Sequence, residues 1–156
     1  MNPPDAMQIF ILRHGQAEPG EPDAERQLTA KGTRDVRNVL TLARKAKADP
    51  QLILTSFLRR AQETAAVAAE IFPDCPVLTT RRLLPSGSPA ALWKEVCSCP
   101  EVSRVLLVGH SPHLEALIAL LLQAPVAIDL KKGALVSITG GTLQWMLTPR
   151  LARACH

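Results

Sequence analysis

The chain has 156 residues, enough for one domain with a sizeable core. Apolar residues make up 47% and aromatics only 3%, with no Tyr, so the core must be aliphatic and an aromatic base-stacking surface is disfavoured. Eighteen Lys and Arg against fourteen Asp and Glu leave a net charge of +4, compatible with anionic substrates, but no basic run is long enough to argue for nucleic acid.

Residues 1–6 read as a disordered tail. Met7 to Leu12 is a nearly continuous apolar run, the pattern of a central strand buried on both faces, and it ends in the turn Arg13-His14-Gly15. Residues 16–28 are polar and carry Pro19, Gly20 and Pro22, which predicts a loop. Thr29 is placed to cap a helix running to about Lys47. Val36, Val39, Leu40 and Ala43 give that helix its apolar face, while Lys31, Arg34, Arg37, Arg44 and Lys45 form a solvated one. Leu52 to Thr55 is a second strand. The helix after it carries Ala61, Ala65, Ala68, Ala69 and Phe72, small enough to pack close to a sheet. Pro76 to Thr79 is a third strand, Pro85 to Pro89 a loop, and Ala90 to Val96 a helix.

Arg104 to Val108 is the next buried strand and runs into Gly109-His110-Ser111-Pro112. Ser111 is expected as an N-cap and Pro112 as the first helical residue, ahead of the stripe Leu114, Leu117, Ile118, Leu121 and Leu122. His113, one turn into this helix, is expected on the surface. Ala134 to Thr139 and Thr142 to Leu147 flank Gly140-Gly141, a strong hairpin signal. Arg150 to His156 reads as a basic, disordered tail. Strands alternating with helices predict an α/β fold, a three-layer α/β/α sandwich on a mostly parallel sheet with a C-terminal hairpin. The domain is expected over 7–148, between tails at 1–6 and 149–156.

No segment reads as a secretory leader, and the longest apolar stretch, Leu114 to Leu122, is too short to span a bilayer. The four cysteines suggest neither a disulfide framework nor a zinc site, and thiols in a reducing cytoplasm are expected.

Three strands end in chemistry. The first ends in Arg13-His14-Gly15, the second leads through Ser56-Phe57-Leu58-Arg59-Arg60 into a helix, and the fourth ends in Gly109-His110-Ser111. Open α/β sheets bind ligands beyond the carboxyl ends of their strands, and helix N-termini there favour anions. A site with two His, at least two Arg and no evident carboxylate suits phosphate and suits a metal poorly. A neutral imidazole is a competent nucleophile near neutral pH, so His14 is the candidate for covalent attack on phosphorus. Arg13 and Arg60 would grip the phosphoryl oxygens in forked geometry, and His110 would donate to them. Gly15 and Ser111, flanking the two histidines, are expected at the substrate.

These residues carry a resemblance. Arg13-His14-Gly15 resembles the Arg-His-Gly signature of the histidine phosphatase (phosphoglycerate mutase-like) superfamily. Arg26-Gln-Leu-Thr-Ala-Lys-Gly32 resembles its Arg-x-Leu-Thr-x-x-Gly segment, Ser56-Phe-Leu-Arg-Arg-Ala-Gln-Glu-Thr64 its Ser-Pro-Leu-x-Arg-Ala-x-x-Thr segment, and Val108-Gly109-His110 its second histidine. The motifs fall in family order between Met7 and about Leu147, and size and opening strand look most like the SixA-type phosphohistidine phosphatases. Translation beginning at Met7 would match that group. The resemblance implies a phosphoglycerate mutase-like fold, phosphorylation of His14, phosphate contacts from Arg13, Arg60 and His110, and a further basic residue, Arg26, near the pocket.

Two departures matter. Phe57 stands where the family has Pro. Arg81 to Pro89 holds no acid, where many members carry a Glu that protonates the leaving group. Phosphate esters need such a donor far more than a phosphohistidine does, because imidazole is the better leaving group. Glu18 and Glu115 are the remaining candidates for an acid. The expected activity is therefore metal- and cofactor-free hydrolysis of phosphohistidine on a signalling protein, such as a histidine-containing phosphotransfer domain, by a cytoplasmic monomer. The alternatives are a phosphatase for small phosphoesters and a non-catalytic phosphoprotein-binding module.

Overall fold

A computed structural model describes residues 7–155. The expected tail at 1–6, the possible start at Met7 and the end at His156 involve residues outside that range. Six strands form one sheet: β1 (Gln8–Arg13), β2 (Leu52–Thr55), β3 (Val77–Thr79), β4 (Arg104–Gly109), β5 (Leu135–Thr139) and β6 (Thr142–Leu147). Their spatial order is β3-β2-β4-β1-β5-β6. β3, β2, β4 and β1 run parallel, while β5 and β6 are antiparallel additions at one edge. The Gly140-Gly141 turn adopts φ of 55° and 77°, the positive values that a tight hairpin requires.

Helices cover both faces, and strand alternation decides which residue faces which layer. Ile9, Ile11, Val105 and Leu107 point toward α3 (Pro89–Cys97) and α4 (His113–Leu122). Phe10, Leu12, Leu106 and Val108 point toward α1 (Ala30–Lys45), α2 (Arg59–Ile71) and α5 (Pro149–Ala154). This is the expected three-layer sandwich. Buried Ala61, Ala65 and Ala68 let α2 lie close on the sheet. Thr29 caps α1 as expected, its Oγ1 accepting from Gly32 N at 2.8 Å.

Three local expectations are corrected. The tail after Leu147 begins with α5: Thr148 accepts from Leu151 N, Pro149 opens the helix, and Ala152 is buried. Arg153 reaches the buried Asp35 of α1 at 2.9 Å, which fastens the segment. Ser111 does not cap α4, which starts at His113 after Pro112 and has no side-chain cap. Ser111 Oγ instead donates to Glu115 Oε1 at 2.7 Å, since a carboxylate is a stronger acceptor than the hydroxyl's alternatives. His113 is buried rather than on the surface, and burial pushes its pKa down.

Candidate active site

β2, β4 and β1 are neighbours, and their carboxyl ends are level. Thr55 pairs with Val108 and Gly109 with Arg13, so Ser56, His110 and His14 leave the sheet side by side. His14 N donates to Gly109 O at 3.0 Å. The two imidazoles lie with ring centroids 5.2 Å apart and their planes tilted by 52°. Both are buried, His14 at 6% exposure and His110 at 2%.

The His14 ring is oriented by its own chain. Its Nδ1 lies 2.7 Å from Gly15 O, a carbonyl that can only accept. The proton therefore sits on Nδ1, and Nε2 carries the free lone pair. Burial pushes the pKa down to about 4, and the positive charges of Arg60, Arg13 and Lys132 work in the same direction against the opposing Gly15 bond. Burial likewise pushes His110 down to about 3, helped by His14 and Arg60. Both rings are neutral at pH 7. His110 Nε2 lies 2.6 Å from Ser56 Oγ, which also accepts from Leu58 N at 3.3 Å, while His110 Nδ1 is buried without a partner among the described residues.

The arginines converge from different elements. Arg60, in the first turn of α2, is buried, with Nη1 donating to Asp23 O at 3.0 Å and Nη2 to Asp23 Oδ2 at 3.3 Å. Arg13, at the end of β1, donates from Nη1 to Leu130 O at 2.9 Å, and its buried Nε has no partner among the described residues. Arg26 sits one layer out. It donates to Glu18 O at 2.7 Å and to Asp23 Oδ1 at 3.0 Å, so it reaches the site through Asp23. Gly15 N donates to Thr64 Oγ1 at 3.1 Å, and Thr64 passes its own proton to Arg60 O at 2.7 Å. Its carbonyl is spent on His14. Ser111 is spent on Glu115.

A close backbone approach holds this end of β1. A Cβ on Gly15 would lie 2.8 Å from Gly32 O, and one on Gly32 would lie 2.8 Å from Gln16 N. Two glycines let the N-terminus of α1 rest on the His14 turn.

Four residues escaped the sequence reading. Ser56 and Thr64 stand within a quoted motif, so their positions carried a signal but their hydrogen bonds did not. Asp23 and Lys132 carried none. The expectation of a site without a carboxylate is corrected by Asp23, which the loop brings to Arg60. The Arg26 bond and Arg60 hold its carboxyl below the usual carboxylate range, so it is ionised at pH 7 and is no proton donor there. Glu115 is half-buried against Ser111, and Glu18 is exposed. Among the described residues no three His, Cys, Asp or Glu side chains gather in a way that could hold a metal ion. Nor is any helix of these residues long and apolar enough to cross a membrane. All four cysteines are free.

Guanidiniums and buried nitrogens without partners, gathered around a neutral imidazole, are chemically suited to a tetrahedral oxyanion. The family description "Histidine phosphatase superfamily (branch 1)" matches residues 9–84. The phosphohistidine phosphatase SixA of Escherichia coli (strain K12) is 27% identical over 92% of this chain and 94% of its own. An uncharacterized protein of Picosynechococcus sp. is 31% identical over 86% of each chain. The structure of the protein histidine phosphatase SixA complexed with tungstate superposes with a TM-score of 0.82 at 26% identity, covering 92% of this chain and 98% of that one. A mycobacterial glucosyl-3-phosphoglycerate phosphatase shares the fold at a TM-score of 0.69 and 21% identity, covering 90% and 96%. With its ordered motifs gathered at one end of such a sheet, the chain belongs to the histidine phosphatase superfamily and, within it, to the SixA-type phosphatases.

Proposed function

We propose that this chain hydrolyses phosphohistidine on a signalling protein through a covalent phospho-His14 intermediate, without metal or cofactor. The observation that carries this reading is the state of His14. Its Nδ1 is committed to Gly15 O and its Nε2 is unprotonated, beside two arginines and the buried free Nδ1 of His110.

In the first step the His14 Nε2 lone pair attacks phosphorus in line, and the substrate's P–N bond breaks. The bonding pair stays with the substrate imidazole, which leaves neutral when its other nitrogen is protonated. Arg13 and Arg60 hold the equatorial oxygens as charge shifts. In this reading Ser56 Oγ donates to His110 Nε2, 2.6 Å away, which keeps the His110 proton on Nδ1 for a phosphoryl oxygen. In the second step water adds to phosphorus, the P–Nε2 bond breaks and its pair returns to His14. The proton lost by water ends on the released phosphate.

The choice of a phosphohistidine over an ester rests on proton supply. An alkoxide leaving group needs a donor, and the carboxylate beside Arg60 is held ionised. The similarity to SixA supports the same substrate class and a phosphorylated protein partner.

The test is a trapping experiment. Protein carrying labelled phosphohistidine is mixed with the enzyme and quenched, and the enzyme is expected to carry an acid-labile, alkali-stable phosphate that His14→Ala lacks. A parallel panel of sugar phosphates is expected to turn over far more slowly. Faster turnover of the esters, or undiminished hydrolysis by His14→Ala, would overturn the proposal.

A further inference from the structure

A groove of about 360 Å³ opens between α1, α5 and the turn that precedes β5. Lys31, Lys131, Lys132, Arg150 and Arg153 line it, with Asp35 at its base. Asp35 is buried and already bonded on both oxygens, to Lys31 Nζ at 2.8 Å and Arg153 Nη1 at 2.9 Å. Lys131 meets Asp129 at 2.6 Å, with both side chains largely exposed. Lys132 and Arg150 are exposed and make no ion pair among the described residues. Five cations thus face two carboxylates, and the excess is turned to solvent.

The groove shares a wall with the active site. Gly133 N donates to both Arg13 O and His14 O, at 3.1 and 3.0 Å. On its other side Gly133 adopts φ of +79°, and a Cβ there would lie 3.3 Å from Pro149 and 3.9 Å from the Asp35 Cβ. Lys132, beside it, lines the groove and its charge acts on His14. A single turn therefore separates the phosphate pocket from the basic surface, within about one Debye length at physiological salt.

The phosphoryl group does not need this surface. Arg13 and Arg60 already match a dianion, so the groove's excess charge is available to something attached to the phosphohistidine. We infer that the groove docks an acidic stretch of the substrate protein adjoining the phosphohistidine, and so selects phosphorylated proteins with Asp- or Glu-rich flanks. This rests on the phosphohistidine reading above and adds the partner's chemistry to it. Arrays of several exposed charges act mainly on encounter and on KM, and their effect weakens with salt.

The experiment uses free phosphohistidine and two phosphohistidine peptides of equal length, one flanked by Asp and Glu and the other by Asn and Gln. Wild-type enzyme is expected to prefer the acidic peptide about tenfold in kcat/KM at low ionic strength and to lose most of that preference at high salt. Arg150→Glu with Lys131→Glu is expected to abolish the preference while leaving turnover of free phosphohistidine within about twofold. The neutral pair Arg150→Gln with Lys131→Gln is expected to fall between the two. Equal use of both peptides by the wild type, a preference that survives charge reversal, or stronger competition by an oligonucleotide than by unphosphorylated acidic peptide would overturn the docking groove. Failure of the wild type to hydrolyse free phosphohistidine and both peptides would instead overturn the catalytic reading on which the groove depends.

Discussion

Replacing Gly32 by Ala sets two physical effects against each other. Gly32 lies in the first turn of α1, where helix propensity alone favours Ala by about 1 kcal/mol. The fold reverses that preference. The new Cβ would sit 2.8 Å from Gln16 N and closer still to Gln16 O, where ordinary contacts begin near 3.4 Å. Both atoms are backbone, so no side chain can rotate away, and α1 and the His14 turn must separate by roughly 1 Å. Overpacking of this kind costs about 1–3 kcal/mol, and the rigid partner puts it at the upper end. The net expectation is a loss of about 2 kcal/mol, or about 4–8 °C in Tm for a chain of this length. The displaced segment also carries the Gly15 carbonyl that orients His14. A displacement near 1 Å at a reacting group costs about 100-fold in rate. Thermal unfolding and phosphatase turnover of Gly32→Ala measure both. A variant that is more stable than wild type and equally active would refute the role given to this contact.

Other expectations follow from the same geometry. Ser56→Ala removes the group proposed to hold the His110 proton on Nδ1; kcat should fall about tenfold, less than the roughly 100-fold or more of an oxyanion donor lost outright, while Ser56→Thr retains activity. Chemical shifts of the His110 ring nitrogens would report the tautomer directly. Asp23→Asn removes a negative charge from the phosphate-binding end, so tungstate or phosphate should inhibit about threefold more tightly; weaker inhibition would mean that the carboxylate chiefly positions Arg60. The pH dependence of stability has a definite sign. His14 and His110 titrate at about 4 and about 3 when folded, against 6.5 for an ordinary imidazole, so the unfolded chain binds more protons in between. Stability should therefore fall as pH drops from about 6.5 toward 4 and on toward 3, and urea titrations of His110→Asn should show a shallower slope. An unchanged slope would contradict a neutral, buried His110.

Much of this was legible in the chain alone, because periodicity and punctuation are local. The apolar run at Met7–Leu12, the Thr29 cap and the Gly140-Gly141 hairpin stand where the sequence places them, and Arg13, His14, Arg60 and His110 were singled out by their positions at strand and helix ends. Local rules failed where a distant partner decides. Ser111 prefers the Glu115 carboxylate to the backbone it was expected to cap. The basic C-terminal segment is held as a helix by Asp35, 118 residues away in sequence.

The residue types by themselves determined that the chain could bind phosphate and offer a histidine nucleophile. Whether that histidine is poised was decided by tertiary contacts alone. The proton on His14 Nδ1 depends on where the Gly15 carbonyl points, the depressed pKa on burial between packed layers, and the presence of a carboxylate at the site on the bond that Asp23 accepts from Arg60, 37 residues away. Composition lists the groups, but a charge state is set by the distance and the dielectric around each one, and only the folded chain fixes those.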